Sequence, residues 1–236
     1  MTGWEPPYDS KLWNSKKEHR DVFNCYIYAL NIHDPRQIKK CLETECDLPF
    51  HQPGLISGYK GFDSNKPKTC PEMIARIIGD NSTITQIGFE EKCPPKTSKI
   101  ALVVDEDEDY HFLRQDRGGW WSQKGGAKPV TNLDASLRPI WDPALANNNW
   151  TNSQGTLNYD IFCGYLCVPR SGTLRVSTGM NVNLKVTTTS QGGGAERLAS
   201  GRAVTTGGRR TKKKKRASPA KRFRGSQTMH SGGRRA

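Results

Sequence analysis

Cys25 and His111 are the two residues of this 236-residue chain whose types and settings suit covalent chemistry. Cys25 lies in "FNCYIYALN" (23–31), where a dense apolar run predicts the start of a buried helix. A helix N-terminus and a nearby imidazolium both lower a thiol's pKa, and a thiolate is the nucleophile. The base must then come from another element and be held by a third polar group. Of the five histidines, His19 and His230 fall in an N-terminal arm and a C-terminal tail. His33 closes the Cys25 helix, and His51 lies in a Pro/Gly-rich loop. His111, in "DYHFLRQD" (109–116), is on a predicted strand. Alternation puts His111, Leu113 and Gln115 on one face and Tyr110, Phe112 and Arg114 on the other. The alternative for Cys25 is a small buried hydrophobe, the usual state of a free cysteine. For His111 it is a satisfied strand histidine. The residues by themselves leave both readings open.

The elements around this pair read as follows. Residues 1–20 form a polar arm whose large apolar anchors are Trp4 and Trp13. The Cys25 helix follows, capped by Asp21 or Asn24 and ended by "HDP" (33–35). Residues 36–70 are rich in Pro, Gly and Cys and predict a long irregular excursion. "CPEMIARIIGD" predicts a short helix with Pro71 in its first turn. From residue 84 the pattern changes to short strands: "TITQIGFE", "KIALVVD", "YHFLRQD", "GGWWSQK", "LRPIWDP" and "YDIFCGYLCVP". "DEDED" (105–109) and "RGG" (117–119) predict hairpin loops, and 174–189 one further hairpin. The acidic loop could also raise the histidine's pKa or hold a cation; a solvated tip is the plainer reading. The layout is α+β: a helix carrying Cys25 packed on an antiparallel sheet carrying His111. The divisions are an arm over 1–20, a main domain over 21–170, an extra hairpin or linker over 171–195, and a tail over 196–236.

Taken in order, "NCYIYALN", "KIALVVD…DYHFLRQDRGGWWSQKGG", "VTNLDAS…IWDP" and "YDIFCGYLCVP" resemble a family of papain-like Cys–His hydrolases encoded by large icosahedral DNA viruses and some phages. The resemblance covers roughly residues 20–170. It implies a papain-like fold with Cys25 as nucleophile and His111 as general base. Sites of this kind draw a third member from the strand after the histidine, which here offers Gln123. Relatives often carry a histidine at that place, so the glutamine departs from the pattern; it can hold an imidazole but supplies no charge. Asn132 or Asp134 is the alternative third member, and Asn24 or an arm residue could donate to an oxyanion. The resemblance implies a virion-associated cysteine peptidase or amidase acting on a peptide or amide. The alternative is a non-catalytic minor capsid or internal virion protein with the same fold. Its partners would then be capsid or other virion proteins.

Charge and cysteine bound the rest. Residues 196–236 hold 14 of the 36 Lys and Arg and one of the 23 acids, so the formal charge of +13 belongs to that stretch. Its composition predicts a disordered tail. Arg209, Arg210, Lys212, Lys213, Lys214, Lys215, Arg216, Lys221, Arg222 and Arg224 could bind the phosphates of nucleic acid, such as a viral genome, without sequence preference, or acidic surfaces of neighbouring subunits. The seven cysteines leave at least one unpaired. Without a visible signal peptide or membrane span, they read as mostly free thiols in a reducing compartment: a virion, the cytoplasm or the nucleus. Cys41 and Cys46 are followed by gaps too long for a zinc pattern, so no metal or other cofactor is expected. Cys163 and Cys167, four apart on one strand, are expected on the same face in core packing.

Overall fold

The computed structural model of the chain describes residues 1–47, 49–62, 67–151, 156–178 and 183–188. The chain divides into two units, Met1–Gly193 and Gly194–Ala236; the second lies outside the described residues.

Five helices precede the strands among the described residues: α1 (Ser10–Asn14), α2 (Lys17–Val22), α3 (Cys25–Ala29), α4 (Pro35–Glu43) and α5 (Cys70–Asp80). Of the two expected caps, Asn24 is the one used, and a separate helix, α2, precedes it. Phe23 and Asn24 are extended, and the Asn24 side chain accepts a hydrogen bond from the Ile27 amide at 3.2 Å, so α3 begins at the cysteine itself. The "HDP" stop is also a start. Asp34 accepts from the Arg36 amide at 2.9 Å and Pro35 occupies the first turn of α4, so the irregular excursion expected over 36–70 begins with a helix. Helix α4 buries only Gln37 and Cys41, too narrow a stripe to stand out as periodicity.

The strands are β1 (Thr85–Ile87), β2 (Thr97–Asp105), β3 (Asp109–Gln115), β4 (Trp121–Lys124), β5 (Val130–Thr131), β6 (Ile161–Pro169), β7 (Gly172–Ser177) and β8 (Asn183–Thr188). Six form one antiparallel sheet in the order β1-β6-β2-β3-β4-β5, and β7 pairs with β8. The "DEDED" and "RGG" stretches are the β2–β3 and β3–β4 turns. "LRPIWDP" makes only isolated bridges, Leu133 to Pro139 and Trp121 to Ile140; its prolines lack ladder donors.

Both faces of the sheet are covered. Ile100, Leu102 and Val104 of β2 pack with Phe112, Leu166 and Val168 under the helical layer of Trp13, Phe23, Tyr26, Ile27 and Tyr28. Ala101 and Val103 face the other way, toward Leu113, Trp121 and Tyr165. That side is roofed by the long β5–β6 connection, through Ile140, Trp150, Leu157 and Tyr159. Burial on both faces explains why β2 reads as a continuous apolar run.

A bulge reverses the alternation in β6. Leu102 pairs with Gly164 but Val103 pairs with Phe162, leaving Cys163 as the extra residue. Gly164, at φ 127°, supplies the backbone this requires. Cys163 therefore turns to the helical side and bonds Cys70 at the start of α5, while Cys167, on the Tyr165 side, bonds Cys93. A third disulfide joins Cys41 and Cys46. These bridges correct two expectations: Cys163 and Cys167 do not share a face, and the thiols are not mostly free. Cys25 is the free cysteine among the described residues.

Candidate functional site

Cys25 opens α3 as the sequence predicts, but as a packed residue. It is 6% exposed, and its thiol donates toward the Tyr110 carbonyl at 4.0 Å. Burial pushes the thiol pKa up to about 12, and the nearby Asp109 carboxylate adds to the rise. Two backbone amides and Lys124 act the other way and are outweighed. A thiol in this setting is protonated at neutral pH and inert.

His111 lies in the middle of β3 and is 3% exposed. Its Nε2 lies 2.8 Å from Gln123 Oε1, and Gln123 Nε2 donates to the Leu133 carbonyl at 2.7 Å. The second bond fixes the amide with its oxygen toward the ring, so the histidine must carry its proton on Nε2. Burial pulls the imidazole down to about 4 despite that bond, so the ring is neutral. Register supports the pairing, since Gln123 sits opposite Leu113, one strand position on from His111 along the same face. Tyr159 stacks on the imidazole with ring centroids 5.2 Å apart. The Tyr159 hydroxyl donates to Asp109 at 3.1 Å, and the Asn158 amide to Asp105 at 2.9 Å. The two ends of the acidic hairpin thus fasten the roof over the histidine. Glu106 is half-buried, and Asp107 and Glu108 are left exposed at the tip.

Of the expected third members, the structure brings Gln123 to the histidine and gives Asp134 another task. Asp134 accepts from the amides of Ser136 and Arg138, both at 2.9 Å, and of Asn147 at 3.1 Å, which folds the roof's first half. The Asn132 carbonyl accepts from the Ile140 amide at 2.9 Å in the same segment. Asn24 is fully engaged as well: besides capping α3 it donates to the His51 carbonyl at 2.8 Å. The basic residues singled out between Arg209 and Arg224 lie outside the described residues.

Sequence reasoning missed the buried arginines. Arg114 is inaccessible; it pairs with Asp116 at 2.8 Å, reaches Asn31 Oδ1 at 2.8 Å and Pro7 O at 3.2 Å, and stacks over Tyr28. Arg170 donates to Ala29 O at 3.0 Å and to Ser98 Oγ at 2.7 Å. A five-residue helix leaves its last carbonyls without helical partners, and Arg170 satisfies one of them from the sheet. The strand assignment of "DYHFLRQD" already put Arg114 on the Tyr110 face, which was the available signal. Tyr159 gave none, because its partner is nearly 50 positions away. Among the described residues no helix is long and apolar enough to cross a membrane.

No family profile matches the chain, and no solved structure matches it. It is similar to insoluble matrix shell protein 1 of Ruditapes philippinarum, with 34% identity over 149 residues, which is 63% of this chain and 81% of that protein. A matrix shell protein of a mollusc overturns the expectation of a viral protein, whether peptidase or minor capsid component. The placement in a virion, the cytoplasm or the nucleus is corrected by the same finding.

Proposed function

Since the chain belongs to the family of insoluble matrix shell protein 1, we propose that it is a structural, non-enzymatic component of an extracellular shell-type matrix. Its fold, on this reading, is a papain-like Cys–His scaffold kept without turnover. The order of parts supports that: a cysteine opening a helix, a histidine on the sheet, and an amide from the next strand holding the ring. The observation that carries the non-enzymatic reading is the state of the two residues, Cys25 packed in the helical-side core and His111 across from Val103 on the other face of the sheet. The thiol is protonated, the imidazole is neutral, both are buried, and Tyr159 covers the ring. Thiolate catalysis needs the opposite arrangement. Three disulfides suit an oxidising exterior, where such bonds persist. The basic tail adds salt-sensitive attraction to acidic neighbours in the matrix.

The test is alkylation of the folded protein at neutral pH. Cys25 should stay unmodified for as long as the protein remains folded, and react fully once it is denatured. Rapid modification of the folded protein that disappears in His111→Ala would show a working thiolate–imidazole pair and end this reading.

A further inference from the structure

We propose that Asn149 is the attachment site of an N-linked glycan. Two stretches of the chain match the acceptor pattern of asparagine, any residue but proline, then a hydroxyl residue: Asn81-Ser82-Thr83 and Asn149-Trp150-Thr151. The structure separates them. Asn81 closes α5 and is buried, its Nδ2 donating to the Arg175 carbonyl at 3.0 Å and its Oδ1 accepting from the Arg175 amide at 2.8 Å. A sugar on that nitrogen would remove the bond that ties α5 to β7. Asn149 is exposed and bridges to Asn158. Its neighbour Trp150 packs on the second sheet face, so the alternation turns Asn149 outward.

The local geometry also suits the chemistry. Thr151 donates to Asn149 Oδ1 twice, from its hydroxyl at 2.7 Å and its amide at 3.1 Å. Charge drawn onto that oxygen favours loss of a proton from Nδ2, the atom that must attack. In the transfer, the bond from the anomeric carbon to pyrophosphate in a lipid-linked oligosaccharide breaks and the bond from that carbon to Nδ2 forms. One amide proton is lost and the lipid pyrophosphate leaves.

This inference rests on the extracellular reading above, because glycan transfer and disulfide formation both belong to the secretory route. The test is peptide mapping of the native protein recovered from its source matrix, after enzymatic glycan release in heavy-oxygen water. The peptide containing Asn149 should appear as heavy-oxygen aspartate and that containing Asn81 as plain asparagine. A disulfide-bonded matrix protein with bare Asn149 overturns the glycan and leaves the matrix reading standing. A protein confined to cells with reduced cysteines overturns both. In cells exporting the full chain, Asn149→Gln and Thr151→Ala should each abolish the glycan-dependent mobility shift, and Thr151→Ser should retain it. A shift that survives both of the first two variants assigns the sugar elsewhere.

Discussion

A buried neutral imidazole leaves a mark on the pH dependence of folding. His111 and His51 are both pulled by burial from 6.5 to about 4 in the folded chain. Between those values the unfolded chain takes up the protons and the folded chain does not. Their share of the stability is therefore fully present above about pH 6.5 and is lost as pH drops toward 4, each histidine contributing on the order of 3 kcal/mol. Asp109, beside Tyr159, works in the opposite sense, because burial raises its carboxyl. The variants are thus the cleaner test: in urea titrations at pH 4.5 and 7, His111→Gln should shrink the difference between the two midpoints. An unchanged difference would mean that the ring is solvated in the folded protein. How the ring is held was partly legible beforehand. Alternation put His111 and Gln115 on one face, and Gln123 was the side chain on offer from the following strand. That Tyr159 would lie on the ring was not, since a contact across a long irregular connection leaves no local pattern.

At the scale of elements, the two long-range disulfides leave β6 on opposite faces, one of them from the bulged residue itself, and close overlapping loops, with sequence separations of 93 and 74 residues. While either bridge stands, it shortens the loop that the other has to close. Removing the first should therefore cost less than removing the second, and the double variant Cys163→Ala/Cys167→Ala should lose more than the two single losses summed. Cys41–Cys46 closes only 5 residues, and Cys46→Ala should cost about 1–2 kcal/mol less than either long-range deletion. Thermal unfolding with the other bridges intact measures all of these. The strands were readable because β2, β3 and β6 are built from β-branched and aromatic residues between turn signals. The bulge was not, because the pattern there is read two residues at a time and a single inserted position leaves no compositional trace. The disulfides are hidden differently: with no signal peptide visible the cysteines read as reduced thiols, and the bulge adds only that Cys163 reads as lying on the wrong face. Helix α4 is hidden for a different reason: its capping signals, Asp34 and Pro35, also read as the end of the preceding helix.

For the whole molecule, the charge division stated in the sequence makes a prediction of its own. Residues 196–236 carry the net charge, so a chain lacking them should lose its salt-dependent retention on an acidic polypeptide resin, and retention that persists would place the basic surface elsewhere. The sheet adds a second consequence through what lies on its two sides. Strand β2 is hydrogen-bonded along both edges, whereas the roof between β5 and β6 hangs from a few carboxylates and short bridges. Opening should begin in the roof and leave the helical layer seated. Amide hydrogen exchange would record this as a sequence of events: deuterium enters Ile140, Asn147 and Trp150 well before Leu102 and Val104. The molecule would come undone from one side, like a bound book whose back cover lifts while its spine holds.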